Sequence, residues 1–209
     1  YQAFIQDSDH RPPKHWDGDQ YPDGKGDHPV IYVSWDDAQA YCQWLSQKTG
    51  KTYRLPTEAQ WEKAARGPLT PGPSPGGRGE SEQGEDGVRV DRIYPWGDDW
   101  DSGKCNFGEN NIANTTPVGQ YSPEGDSPYG CTDMAGNVWE WCADWFAEDA
   151  YKNREDGLKD PQGAQQGGSR LLRGGSWSSN RRVVRCAARG RYSPDFFYFS
   201  IGFRVVSPG

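Results

Sequence analysis

A turn rich in oxygen-bearing side chains lies in the second half of the chain. Asp133, Asn137 and Glu140 stand close together around Gly136, a residue type that permits a tight turn. Closely spaced carboxylate and amide oxygens are the ligands that Ca²⁺ prefers. The same residues also suit a turn held by hydrogen bonds, in which Asn137 caps a helix. The residues alone therefore leave two interpretations open, a calcium site and a hydrogen-bonded turn.

The cysteines and histidines offer little for redox or metal chemistry. The chain has five cysteines, an odd number with no C-x-x-C pair: Cys42, Cys105, Cys131, Cys142 and Cys186. This spacing matches neither a disulfide scaffold nor a zinc module. We therefore predict small, buried thiols. The three histidines likewise show no metal-ligand spacing.

An aromatic run close to the C-terminus is suited to recognition. It reads Tyr192-Ser193-Pro194-Asp195-Phe196-Phe197-Tyr198-Phe199-Ser200. Pro194 and Asp195 favour a turn, which keeps the run short and near the surface. A buried core strand is the alternative, but both of its faces would have to be covered. We therefore predict that these rings lie open to solvent and provide contact area with few torsions to freeze on binding.

Composition indicates a loop-rich single domain whose core is built from rings. Only 33% of the 209 residues are hydrophobic and the mean hydropathy is -1.00, but there are ten Trp, eleven Tyr and 27 Gly. No apolar stretch reaches the roughly 20 residues that a membrane-spanning helix needs. The net charge of -7 argues against a general binder of nucleic acid or anionic membranes.

Two helices are the clearest elements that could position these residues. Ser34 is the predicted N-cap of the first helix, and Gly50 ends it. Thr57 and Gln60 form a predicted capping box at the start of the second helix, which ends at Gly67.

Two shorter segments complete the predicted organisation. The apolar residues from Val30 to Val33 predict a short strand. Residues 68–91 are rich in Pro, Gly and acidic side chains, which predicts a solvated, disordered loop insertion within the domain.

Seven phrases of the sequence carry a family resemblance. They are His28-Pro29-Val30, Arg54-Leu55-Pro56-Thr57-Glu58, Tyr94-Pro95-Trp96-Gly97, Asp133-Met134-Ala135-Gly136-Asn137-Val138-Trp139-Glu140-Trp141, Arg173-Gly174-Gly175-Ser176-Trp177, Arg185-Cys186-Ala187-Ala188-Arg189 and Gly202-Phe203-Arg204. In this order they closely resemble the formylglycine-generating-enzyme, or sulfatase-modifying-factor, family. The resemblance implies an α+β, C-type-lectin-like fold with two main helices, short strands and little regular secondary structure. Residues 1–209 would form one such domain, with the N-terminal part of the family pattern lying ahead of Tyr1.

The resemblance implies no catalysis by the family's usual route. The family's enzymes oxidise a cysteine of client sulfatases with a copper-binding cysteine pair, which lies between the Arg-Gly-Gly-Ser and Arg-Cys-Ala-Ala-Arg phrases. The matching window here, residues 177–184, contains no cysteine. Serine is a poor ligand for the soft Cu(I) ion, which prefers thiolate. We therefore predict that the protein binds no copper and is not an enzyme.

The resemblance also implies a structural calcium ion. In the family's pattern the ligands would be the Glu140 carboxylate and oxygens near Asp133, Gly136 and Val138. A second family site would fall near Asn106 and Asn114, where the match is looser.

The stretch from residue 173 to 204 further resembles the variable proteins of diversity-generating retroelements. In that group adenines of a template are miscopied, so asparagine codons of a fixed frame become codons for other residues. An AAC or AAT codon can then encode residues such as Ser, Gly, Val, Tyr or Phe. The positions predicted to be variable and to bind ligand are Ser178, Ser179, Asn180, Val183, Gly190, Tyr192, Ser193, Phe196, Phe197, Tyr198, Phe199 and Ser200. The predicted scaffold around them is Trp177, Arg185, Arg189, Pro194, Ile201 and Phe203.

These resemblances predict a non-enzymatic display protein with a diversified C-terminal surface, whose ligand is a protein or another macromolecule and not a nucleic acid. The alternatives are an oxidoreductase of the same family acting on a protein cysteine, and an inactive accessory domain. On family grounds Arg185, Arg189 and Arg204 are predicted to pair with carboxylates or aromatic faces. Two interpretations remain for Arg181, Arg182 and Arg191. These arginines either form the same structural pairs or rim the binding face and favour an acidic partner.

Overall fold

The computed structural model describes residues 1–67, 70–71, 88–89, 92–151, 161 and 163–207. Its helices and strands, in chain order, are α1 (Gln2–Asp7), α2 (Trp35–Thr49), α3 (Glu58–Arg66), β1 (Thr70–Pro71), β2 (Val88–Arg89), β3 (Trp139–Trp145), β4 (Arg170–Arg173), β5 (Arg189–Tyr192) and β6 (Ile201–Gly202). Two short 3-10 helices lie at Ser102–Lys104 and Gly108–Asn110. The predicted disordered insertion 68–91 lies outside the described residues, except for β1 and β2, which pair antiparallel.

A four-stranded sheet forms the centre of the domain, in the order β5-β4-β3-β6. Strands β3 and β4 are antiparallel, as are β4 and β5, whereas β3 and β6 are parallel. Three of the four strands therefore belong to the segment 170–202, and the fourth is the Trp139–Trp145 strand that follows the oxygen-rich turn.

The two predicted helices are confirmed with their caps. Ser34 accepts from the backbone N–H of Asp37, whose carboxylate accepts from the Ser34 N–H, and Gly50 ends α2 in the left-handed conformation. Thr57 and Gln60 form the same reciprocal box at the start of α3. Helix α1 was not predicted from the sequence; it is six residues long and buries Phe4 and Ile5.

The predicted strand at Val30–Val33 is wrong. Tyr32 has a φ of 61°, which places it in the left-handed region and breaks an extended strand. Its backbone N–H donates instead to the carbonyl of Tyr198, at 3.1 Å. The segment is thus a connection that fastens the N-terminal part of the chain to the aromatic run.

Large rings and small thiols fill the core, as the composition predicted. Trp61 and Trp141 are fully buried. Cys42, Cys105, Cys142 and Cys186 are free and buried, and Cys131 is half-buried. Burial raises the pKa of Cys42 to about 11 and the pKa values of Cys105 and Cys186 to about 12.

Burial therefore favours the protonated form of these three thiols at neutral pH. Among the helices in the described part of the chain, none is both long enough and apolar enough to span a bilayer.

Candidate ligand-binding face

Arg173 is a buried residue at the start of residues 173–204, which we call the variable segment after the variable proteins that this stretch resembles. Its side chain has no solvent exposure and forms an ion pair with Glu62 of α3. Its guanidinium also donates to the carbonyls of Cys186 and Ala188, each at 2.8 Å. Because these carbonyls lie at the far end of the loop 174–188, Arg173 ties both ends of that loop to helix α3.

Two more arginines connect the variable segment to the rest of the domain. Arg189 forms a bidentate pair with Glu58, with N–O distances of 2.7 and 2.9 Å. Arg204 forms a bidentate pair with Glu140, at 2.5 and 2.6 Å. Arg185 differs, since it is exposed and its Nε donates to the Arg182 carbonyl at 2.8 Å.

The Glu140 carboxylate does not fit the calcium site that the family resemblance implies. Oxygen Oε2 accepts from Trp61 Nε1 at 2.6 Å in addition to Arg204, so both oxygens are engaged and the charge is already balanced. The nearby Asp133 carboxylate accepts from the backbone N–H of Gly119 at 2.8 Å. Among the described residues, no cluster of three or more His, Cys, Asp or Glu side chains could hold a metal.

The turn itself is held by hydrogen bonds. Asn137 has a φ of 62° and precedes strand β3, so it caps no helix. Its side chain exchanges hydrogen bonds with the backbone of Thr116, at 3.0 and 3.2 Å. At the looser second site Asn106 Oδ1 is buried without a hydrogen-bond partner, which fits one oxygen ligand of a cation. Calcium binding there stays a prediction.

The loop that begins the variable segment presents small polar side chains. Ser178 and Asn180 are exposed, whereas Ser179 and Val183 are half-buried. A backbone hydrogen bond fixes the loop to another part of the domain, since the Gly108 N–H donates to the Ser179 carbonyl at 2.8 Å. The contact with Gly108 does not depend on the identity of the loop's side chains, although Ser179 Oγ and Asn180 Oδ1 also accept from the backbone N–H groups of Ser176 and Arg182, each at 3.0 Å.

The aromatic run forms a chain of neighbouring rings, some stacked and some tilted, which we call the ring ladder. Its members, from β5 to the start of the loop, are Tyr192, Phe196, Tyr198, Phe199 and Trp177, with neighbouring ring centroids 4.1 to 5.9 Å apart. Tyr192 and Tyr198 are 45% and 44% exposed, and the other three are half-buried. A turn follows Ser193, whose carbonyl accepts from the Phe196 N–H at 3.0 Å.

The ring ladder matches neither of the two alternatives from the sequence, a fully exposed aromatic run and a buried core strand. Residues 196–199 do not form a strand, but Phe196 also packs against the main hydrophobic core. The expectation that all four rings from Phe196 to Phe199 lie open to solvent is therefore wrong for Phe196, Phe197 and Phe199, which are half-buried. Half-burial fixes the orientation of the rings and leaves one edge for contact.

Two of the predicted ligand-binding positions are constrained by the sheet, Ser200 by burial and the half-buried Gly190 by its close neighbours. Ser200 is only 5% exposed, because its carbonyl accepts from the Trp139 N–H inside the sheet. A Cβ at Gly190 would lie 3.1 Å from the Trp139 ring, so this position has little room for a side chain. Both corrections arise because the frame around these residues belongs to the sheet.

Two cationic residues that the sequence analysis missed also lie beside the aromatic run. Arg11 and Lys14 lie over the ring of Phe197, at 4.9 and 5.6 Å from its centroid. No local pattern signals this contact, because the partners are far apart in the chain. Arg181 and Arg182 are exposed near the loop, and Arg191 is exposed with its guanidinium 4.4 Å from the Phe146 ring.

Residues 1–208 match the sulfatase-modifying factor enzyme 1-like domain. The chain belongs to this family. It is 39% identical over 200 residues to the formylglycine-generating enzyme of Streptomyces coelicolor, covering 88% of this chain and 54% of that protein. It is also 34% identical over 199 residues to the inactive C-alpha-formylglycine-generating enzyme 2 of Bos taurus, covering 88% of this chain and 51% of that protein. The chain thus spans about half the length of these relatives, one of which is named as an enzyme and the other as inactive.

A solved structure, Treponema denticola variable protein 1, resembles this member of the family across almost its whole length. The two are 25% identical with a TM-score of 0.70, covering 98% of this chain and 80% of the other. The match confirms the predicted α+β fold of the formylglycine-generating-enzyme type and the resemblance to a variable protein.

Proposed function

We propose that this family member is a non-enzymatic ligand-binding domain that displays diversified side chains on a recognition face. The face consists of Ser178, Ser179, Asn180, Val183, Tyr192, Ser193, Phe196, Phe197, Tyr198 and Phe199. The observation that carries the proposal is that the frame residues and the face positions of the variable segment are held differently. Arg173 and Ile201 of the frame are buried and Arg189 is paired with Glu58, whereas the positions of the face are exposed or half-buried. Of the other predicted scaffold residues, Trp177, Pro194 and Phe203 are half-buried and Arg185 is exposed.

This division has a physical consequence for recognition. A side chain that contacts mainly solvent can change identity at a cost of about 0.5 kcal/mol or less, whereas a buried ion pair cannot. The ring ladder supplies large, partly ordered contact area, and the serines of the loop supply adaptable hydrogen bonds. The ligand is a macromolecule, and the cations Lys14 and Arg181 beside the face favour an acidic one, whereas the charge of Arg11 is paired with Asp37 at 3.0 Å.

DNA sequencing tests the proposal directly. We expect the natural gene to lie beside a reverse-transcriptase gene and a near-identical template copy with asparagine codons at the positions of the face. Amplicons from a population should differ at these positions and agree at Arg173, Trp177, Pro194, Ile201 and Phe203. Substitutions spread evenly along the gene, or a locus that contains no template copy, would contradict diversification.

The second candidate is an oxidoreductase acting on a protein cysteine, which the similarity to the Streptomyces enzyme favours. We expect no such activity, because the window 177–184 lacks cysteine and burial raises the pKa of the neighbouring Cys186 to about 12. The measurement is oxygen uptake with copper and a cysteine-containing peptide, compared with the Streptomyces enzyme under the same conditions. Uptake above the copper blank, with loss of the peptide thiol, would favour the oxidoreductase.

A further inference from the structure

A large cavity lies beside the recognition face. It has a volume of about 990 Å³ and is formed mainly by the segments 15–32 and 113–118, with Trp177 and Phe199 of the ring ladder at one wall. This volume is in the range of sites that hold small organic ligands or a few residues of a peptide. Most of the wall lies outside the variable segment, so among the proposed variable positions diversification alters the wall only at Phe199.

The cavity wall carries a cation without an acidic partner. Lys25 Nζ donates to Asn114 Oδ1 at 3.2 Å and to His28 Nδ1 at 3.3 Å, both uncharged acceptors. No ion pair between Lys25 and a carboxylate occurs within the described ranges. Burial lowers the pKa of the Lys25 ammonium, which is consistent with a cation that no nearby anion compensates.

His28, beside Lys25, is engaged by neighbouring groups of the wall. Its Nδ1 lies 2.8 Å from Thr115 Oγ1 and 3.3 Å from Lys25 Nζ, so Lys25 is the group of this pair that offers charge to an anion. Burial is the largest cause that lowers the pKa of His28, with a smaller contribution from the charge of Lys25.

Aromatic rings form a further part of the wall. Trp16, Tyr21, Tyr41 and Phe199 line the cavity together with Trp177. Two polar atoms of lining side chains, His15 Nδ1 and Trp177 Nε1, are buried without a hydrogen-bond partner. A ligand that reached either atom would remove an unfavourable buried polar group.

We propose that this cavity binds a ligand that combines an aromatic ring with a carboxylate, with Lys25 holding the carboxylate and the aromatic residues of the wall holding the ring. A charge-assisted hydrogen bond to an ammonium is stronger than one between neutral groups, so the carboxylate decides the preference. The site does not depend on the proposed display function, because Lys25 and His28 lie outside the variable segment.

Titration calorimetry with matched probe pairs tests the site on the whole chain. The first pair is naphthylacetate and its uncharged amide, and the second is a short peptide ending in phenylalanine with a free carboxylate or an amidated end. We expect an acid to bind at least tenfold more tightly than its amide. Tight binding by naphthylacetate alone would assign a free small molecule, and tight binding by the peptide acid as well would assign a chain end.

Lys25→Met should abolish the preference for the acid, and Lys51→Met, the same change at an exposed lysine outside the cavity, should leave it unchanged. Lys25→Gln gives the same test with a polar side chain if the methionine variant is unstable. Equal affinity for acid and amide, no binding of either acid at millimolar concentration, or a preference that survives both Lys25 variants would overturn the proposal.

Discussion

Glu140→Gln should lower the free energy of unfolding by about 3 kcal/mol. The Glu140 side chain is 6% exposed and is the only carboxylate in the described residues that forms an ion pair with Arg204, whose side chain is 27% exposed. An amide in its place leaves the guanidinium charge uncompensated. It also turns one of its own N–H groups towards the donors of Arg204 and Trp61. Chemical denaturation measures the loss.

Two further variants identify the cause of that loss. Glu109→Gln makes the same change at an exposed carboxylate and should alter stability by less than about 0.5 kcal/mol. In the double variant Glu140→Gln/Arg204→Met the charge is removed together with its partner. The double variant should therefore lose less free energy of unfolding than the Glu140→Gln and Arg204→Met variants lose in sum, by about 1 kcal/mol or more. Additive costs would show that the pair does not act as a unit.

Gly136→Ala should destabilise the domain by about 3 kcal/mol, from backbone strain and overpacking together. Gly136 has a φ of +76°, and a Cβ there would lie 2.1 Å from the Asn106 carbonyl oxygen. That oxygen accepts from the Asn137 N–H at 2.8 Å, so displacing it breaks the bond that positions the start of β3. Thermal and chemical denaturation provide the measurement.

Gly24→Ala is the matched control for Gly136→Ala. Gly24 has a similar φ of +73°, but a Cβ at this position would meet nothing within 4 Å. The control therefore reports the backbone cost alone, about 1 kcal/mol. Equal losses in the two variants would mean that the contact with Asn106 relaxes at no cost.

The sequence predicted well the features that depend on residues close together in the chain. Ser34 with Asp37 and Thr57 with Gln60 begin helices α2 and α3, because a capping box involves only residues three apart. The family phrases predicted the fold, since many ordered matches exclude chance. The strand predicted at Val30–Val33 failed because the tertiary hydrogen bond from Tyr32 to Tyr198 outweighs local strand preference.

The sequence by itself determined the family, the two capped helices, the absence of cysteine from the window 177–184 and which positions match a variable frame. Tertiary structure alone decided which of those positions reach solvent. Ser200 and Tyr198 are two residues apart, but one is buried against the sheet and the other is 44% exposed. Tertiary structure also placed Lys25, His28 and Phe199 around one cavity. The physical reason is that burial and charge compensation depend on residues brought together from distant parts of the chain, which no local pattern encodes.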